Sequence, residues 1–232
     1  MTKYYSQAGE DRFIFENIIS VNSDLPKAYI EVGALDGLKY SNTKYFEDEL
    51  DWSGVLIEPN PVSYAALVEN REGNVLVNAL VSSSEDSLEY SYFESGNLAA
   101  VSGVANTITP KNNAAFYTNN DEWLIRAREK HLKTVVLDPV TLDTVLEKAP
   151  FDSFGFCSID VEGHELQVLE SYSFSKRIEI LLVEINQNDD AIAELLQDKG
   201  YSFYSVCSNN NVFVTNELHS QLRTSMSQKK IA

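Results

Sequence analysis

The stretch Ala28-Tyr29-Ile30-Glu31-Val32-Gly33-Ala34-Leu35-Asp36-Gly37 decides how the rest of the chain reads. Its first five residues form a short, largely apolar run, the pattern of a strand buried inside a sheet, and Gly33 closes it. Small residues at 33, 34 and 37 let a ligand approach the backbone, because no bulky side chain stands in the way. A helix starting just after this turn would offer free amide hydrogens to a carboxylate. The carboxylates of Glu31 and Asp36 flank the same turn, and they favour a cationic ligand group over a pyrophosphate. The third glycine of the dinucleotide pattern G-x-G-x-x-G is missing as well.

Strand and helix patterns alternate on either side of this run. An amphipathic segment from about Gln7 to Ile19 carries Phe13, Ile14, Ile18 and Ile19 on one side. Asn42 can cap a helix bearing Tyr45, Phe46 and Leu50, and Gly54-Val55-Leu56-Ile57-Glu58 reads as the second strand. Asn60 followed by Pro61 opens the next helix: Asn accepts orphan amide hydrogens at a cap, and proline's fixed φ suits the first helical position. A third strand fits Asn74 to Val81, a fourth Phe154 to Ile159, and a fifth Ile178 to Val183, the last apolar enough to be central. A helix with Ile192, Leu195 and Leu196 ends near Gly200. Tyr201 to Cys207 and Val212 to Thr215 then read as strands joined by the polar loop Ser208-Asn209-Asn210-Asn211. Five βα units closed by a hairpin predict a doubly wound, Rossmann-like α/β sheet, mostly parallel with an antiparallel C-terminal hairpin strand. That is the sheet of the class I methyltransferases; a plain dinucleotide-binding fold would continue with a crossover helix.

The length, 232 residues, suits a single domain over 1–232. One stretch breaks the alternation: from Tyr90 to Thr134 the chain is rich in Asn, Ser and Thr, with one helical pattern at Glu122 to Lys130. So long an excursion inside a domain reads as an inserted lid or acceptor-binding segment. The net charge of −17, from 35 acidic and 18 basic residues, would repel a phosphate backbone and argues against nucleic acid as a partner. No apolar run approaches the roughly 20 residues of a membrane span, and Met1 to Tyr5 lack the apolar core of a signal peptide. A cytoplasmic protein is the expectation. Cys157 and Cys207 fall in apolar strand-like runs without metal-knuckle spacing and read as buried thiols.

Candidate site residues stand at the carboxyl ends of the strands, where open α/β sheets bind ligands. Glu58 ends the second strand, roughly 20 residues beyond Gly37, where a carboxylate accepts both hydroxyls of an adenosine ribose. Asn78-Ala79-Leu80, after the third strand, would face the adenine edge. The fourth strand runs into Ser158-Ile159-Asp160-Val161-Glu162-Gly163-His164-Glu165. Asp160 points towards the site, and Gly163 allows a turn that brings His164 beside it. A hydroxyl is scarcely ionised at neutral pH, so transfer to one gains from a base, and the imidazole pKa of about 6.5 suits that task. Glu184 ends the fifth strand; together with Asp160 it could hold a divalent ion, but two carboxylates alone are thin support and no metal site is assigned.

These motifs resemble the FkbM family of methyltransferases. The resemblance rests on Ser6-Gln7-Ala8-Gly9-Glu10-Asp11-Arg12, Glu31-Val32-Gly33-Ala34 with Asp36-Gly37, and Ser41-Asn42-Thr43. It continues in Trp52-Ser53-Gly54 with Ile57-Glu58-Pro59-Asn60-Pro61, in Thr141-Leu142-Asp143, and in Ile159 to Glu165. It implies S-adenosylmethionine as donor, S-adenosylhomocysteine as product, and O-methylation of a sugar, glycan or other small-molecule hydroxyl. Carried onto this sequence, it implies that Glu31, Gly33, Asp36 and Gly37 line the methionine end, that Glu58 holds the ribose, that Asp160 sits beside the transfer site and that Gln7 and Ser41 lie near the donor. With the residue reading above, the expected donor site is Gln7, Glu31, Gly33, Ala34, Asp36, Gly37, Ser41, Glu58, Pro59, Asn78, Ala79 and Asp160, with Asp160 and His164 catalytic. A non-catalytic binding or scaffold protein that keeps the fold is the alternative from another class, and a nucleotide-sugar or dinucleotide enzyme using the same ribose carboxylate is a further one.

Overall fold

The computed structural model describes residues 3–22, 24–94, 96–105, 107, 122–185 and 188–229. Its strands are β1 (Ala28–Val32), β2 (Ser53–Ile57), β3 (Val75–Val77), β4 (Leu88–Phe93), β5 (Gly103–Val104), β6 (Leu132–Leu137), β7 (Ser153–Ile159), β8 (Arg177–Glu184), β9 (Tyr201–Cys207) and β10 (Asn210–Thr215). The helices are α1 (Glu10–Asn17), α2 (Lys44–Leu50), α3 (Pro61–Asn70), α4 (Glu122–His131), α5 (Leu142–Glu147), α6 (Glu165–Glu170), α7 (Asp189–Asp198) and α8 (Asn216–Lys229).

The main sheet has the order β3-β2-β1-β7-β8-β10-β9. Strands β3 to β8 of that order run parallel, and β10 is antiparallel to both its neighbours. Successive residues of a strand point to opposite faces, and both faces are covered. Ile30, Val32, Ile57, Cys157, Ile159 and Leu181 pack on one side against Leu146 of α5, Leu169 of α6 and Ile192 of α7. Tyr29, Leu56, Phe156, Ile180 and Leu182 pack on the other against Ile14 of α1, Phe46 of α2, Leu67 of α3 and Leu218 of α8. Each such aliphatic or aromatic side chain, taken from water, contributes about 1.5–3 kcal/mol. Two faces of core explain why β1, β7 and β8 are nearly continuous apolar runs and not alternating ones. The strand order reverses between β1 and β7, which opens a crevice at their carboxyl ends.

Local rules account for several boundaries. The Asn60 side chain accepts from the amides of Val62 and Ser63, and Pro61 takes the first position of α3, as the sequence predicts. Four expectations are corrected. The third strand covers only Val75–Val77, not 74–81, because Asn78 turns its side-chain amide onto the Glu58 and Pro59 carbonyls and draws the chain out of the sheet. No helix follows Gly37; the Asp36 carboxylate accepts from the Leu38 and Lys39 amides and holds a turn there, and α2 waits until Lys44, with Thr43 and not Asn42 at its cap position. The hairpin loop is two residues, Ser208 and Asn209, since Asn210 pairs with Cys207; Ser208 takes a left-handed φ of 55° to make that turn. The excursion begins and ends in strands: β4 pairs antiparallel with β6 from Leu88↔Leu137 to Phe93↔Leu132, and β5 joins the other edge of β4. Residues 95, 106 and 108–121 of that excursion lie outside the described residues, as does the Arg128 side chain.

Candidate active site

A cavity of about 330 Å³ occupies the crevice at the carboxyl ends of β1, β2, β7 and β8. Glu31 to Leu35, Ile57 to Pro59, Asp160 to Glu162, His164 and Glu184 line its sheet side. Gln7, Lys39 to Asn42, Ala79 to Val81 and Asn209 complete the rim, and Tyr90 with residues 99–104, which lead into and include β5 of the small sheet, face them. Leu80, Tyr90 and Val104 pack together as one buried apolar group on that wall.

Gly33 has φ +87, and a Cβ on it would lie 1.9 Å from the Asp160 carbonyl oxygen. Glycine is therefore required at this position by the close approach of the paired ends of β1 and β7 as well as by its left-handed backbone. The amides of Gly33 and Ala34 both donate to the Ile57 carbonyl, and the Asp160 amide donates to the Val32 carbonyl. The three strand ends are thereby fixed relative to one another. Gly37, with φ +78, is packed against Leu67 and Arg71 of the α3 end, where a Cβ would come within 2.6 Å of both side chains.

The loop from Gly37 to Thr43 is held by two buried charges. The Glu31 carboxylate accepts from Ser41 Oγ (2.9 Å), the Asn42 amide (2.7 Å) and Thr43 Oγ1 (2.6 Å). Arg71, fully buried, donates to the Gly37 carbonyl, Ser41 Oγ, Thr43 Oγ1, Tyr29 Oη and the Glu47 carboxylate. Its Nη1 lies 3.6 Å from the Glu31 carboxylate. Burial pushes the Glu31 carboxyl up, opposed by the Arg71 charge and by the three donors. Sequence reasoning passes over Arg71, because an arginine at a helix end ordinarily reads as solvated.

Glu58 is buried, with one carboxylate oxygen accepting the Leu35 amide and the other the Asn60 amide, both at 2.8 Å. Burial raises its pKa to about 7 against the pull of those two donors. Each oxygen retains a lone pair for a further donor.

Asp160 is exposed on the cavity side, but the protein packed around its carboxyl, and then the neighbouring charges of Glu165, Glu10 and Glu31, raise it to about 7, and it is hydrogen-bonded to Glu184. A second carboxyl in such contact opposes the ionisation of both at once. His164 is buried, with Nε2 3.0 Å from Ser82 Oγ and, among the described residues, no hydrogen-bond partner for Nδ1. Burial lowers its pKa to about 4, so the ring is neutral. Its side chain does not cap α6; Glu165 closes that turn instead, accepting the amides of Val161 and Gly163.

Of the residues singled out in the sequence, Gln7, Glu31, Gly33, Ala34, Ser41, Glu58, Pro59, Ala79, Asp160 and His164 come together around this cavity. Asp36, Gly37 and Asn78 stand behind the wall and shape it through the contacts just described. Lys39, Asn42, Tyr90, Glu162 and Asn209 also line it and carried no sequence signal strong enough to single them out as site residues. Among the described residues, no group of three or more His, Cys, Asp and Glu side chains is placed to hold a metal ion.

A mostly parallel sheet of this order, reversing beside a carboxyl-edge cavity and closed by an antiparallel strand, has the Rossmann-like fold of the methyltransferases. Residues 31–203 match the family described as "Methyltransferase FkbM domain". The chain belongs to the FkbM methyltransferase family. No curated protein matches it.

Proposed function

We propose that this FkbM methyltransferase moves the methyl group of S-adenosylmethionine to a hydroxyl of a sugar, glycan or other small-molecule acceptor. The observation that carries the donor half is Glu58: a buried carboxylate at the end of β2, on the cavity wall, with a lone pair left on each oxygen for the two ribose hydroxyls. The cavity has the volume of a small-molecule site. Pro59, Ala79, Leu80 and Tyr90 would enclose the adenine, while Gln7, Glu31, Gly33, Ala34 and Ser41 would border the methionine end. When bound, the donor supplies a methyl group on a cationic sulfur, and the carboxylates of Glu31 and Asp160 suit that charge.

For the acceptor proton, the geometry favours Asp160 over His164. A base works best with a pKa near the working pH; Asp160 titrates at about 7 beside Glu184, whereas His164 sits at about 4 with Nε2 against Ser82. His164 then positions the β7 turn behind Asp160. Much of the rate comes from aiming the acceptor oxygen at the methyl carbon. The inserted sheet, which already faces the cavity with Tyr90 and Val104, covers the reactants and keeps water out. We place the protein in the cytoplasm, where free buried thiols such as Cys157 and Cys207 remain reduced. Among the described residues no helix is long and apolar enough to cross a membrane.

Calorimetric titration with S-adenosylhomocysteine, using NAD and a nucleotide-sugar as controls, tests the donor half. Selective binding that weakens about tenfold in Glu58→Gln is expected; absence of binding to well-folded protein would overturn it. Transfer to a panel of sugar hydroxyls tests the acceptor half, and donor binding with no transfer to any of them would favour a non-catalytic binding protein.

A further inference from the structure

Most backbone amides of the turn after β1 are already engaged. The amides of Gly33 and Ala34 go to the Ile57 carbonyl, that of Leu35 to Glu58, and that of Gly37 to the Ala34 carbonyl. Those of Leu38 and Lys39 go to Asp36, that of Asn42 to Glu31, and those of Thr43 and Lys44 to Ser41 Oγ. A carboxylate entering here finds few free amides and gains from a side-chain cation.

Lys39 is that cation. Among the described residues lining the cavity it is the only Lys or Arg, and it shares the lining with the carboxylates of Glu31, Glu58, Asp160, Glu162 and Glu184. Its backbone is held on both sides, by Asp36 before it and by the pairing of Tyr40 with Ser6 after it. Its Nζ lies 4.8 Å from the centre of the Tyr40 ring, a face that tolerates an ammonium.

We propose that Lys39 binds the α-carboxylate of the donor's amino-acid end and makes the protein selective for a carboxylated thioether over its decarboxylated counterpart. The assignment rests on S-adenosylmethionine being the donor. The chemistry demands it: an α-amino acid brings both signs of charge on one carbon. The ammonium is welcome among five carboxylates, whereas the carboxylate is repelled unless a charge-assisted partner meets it.

The test titrates S-adenosylhomocysteine and its decarboxylated analogue, S-adenosyl-3-thiopropylamine, into wild-type protein, Lys39→Met and Lys39→Arg. Lys39→Met is expected to bind S-adenosylhomocysteine roughly 10- to 100-fold more weakly and the analogue about as well as wild type does, with Lys39→Arg recovering much of the loss. Equal losses for both ligands, or no loss for either, overturn the Lys39 assignment and leave the donor reading standing. A folded wild-type protein that binds neither ligand overturns the donor reading and this assignment together.

Discussion

The Arg71 guanidinium stands 3.6 Å from the Glu31 carboxylate, and both side chains are closed off from solvent. Arg71→Met would leave Glu31 buried without its countercharge and release the Gly37, Ser41 and Thr43 contacts. A loss of about 3–5 kcal/mol in urea denaturation is expected, with Arg71→Lys losing less because the charge stays. A loss below about 1 kcal/mol for Arg71→Met would show that the loop is held by other means.

Gly33→Ala places a methyl group against the Asp160 carbonyl at a positive φ. The backbone conformation alone costs an L-residue about 1–2 kcal/mol, and the clash adds to it by prising β1 from β7. Denaturant melts should show a loss above about 2 kcal/mol, accompanied by weaker S-adenosylhomocysteine binding. A variant as stable as wild type would mean that this contact between the strand ends yields easily.

Asp160 titrates at about 7 in the fold and near 4 in an unfolded chain. Between those values the folded state holds a proton that the unfolded state has released. Its contribution is therefore present in full below about pH 4 and lost as the pH rises towards 7. Glu58, also raised to about 7, acts with the same sign; His164, lowered to about 4, acts with the opposite one, its share lost as the pH falls below 6.5. Relative to wild type, Asp160→Asn should gain stability between pH 5 and pH 8, by less than the shift alone would give because Asp160 is open to solvent. A constant offset across that range would mean that Asp160 is ionised throughout.

The imidazole of His164 should stay neutral well into acid. In an NMR titration its ring resonances are expected to hold their neutral positions from pH 8 down to about pH 5, whereas an exposed ring would be mostly charged there. A midpoint near 6.5 would restore His164 as a candidate base.

Most of the main sheet is legible in the sequence because buried parallel strands leave unbroken apolar runs, such as Tyr29-Ile30 and Ile180-Leu181-Leu182-Val183. The site is legible where a residue sits at a strand end, as Glu58 and Asp160 do. What escapes is set by partners distant in sequence. Tyr90 finds Val135 only after the whole excursion intervenes, so neither β4 nor β6 announces itself locally. The polar sequence of α8 hides the two leucines, Leu218 and Leu222, that dock it. Lys39 looks like any surface lysine until it is seen to line a cavity walled by carboxylates.

Strand β10 is made last and yet lies between β8 and β9. On the ribosome, then, the apolar edge of β8 waits without a partner while residues 185–215 are still being added, roughly 2–6 s at ordinary synthesis rates. An open apolar edge is a template for association with other chains. The C-terminal hairpin therefore acts as a stopper for a nascent sheet, and a chain cut short before Asn210 would present β8 to chaperones and to its own copies.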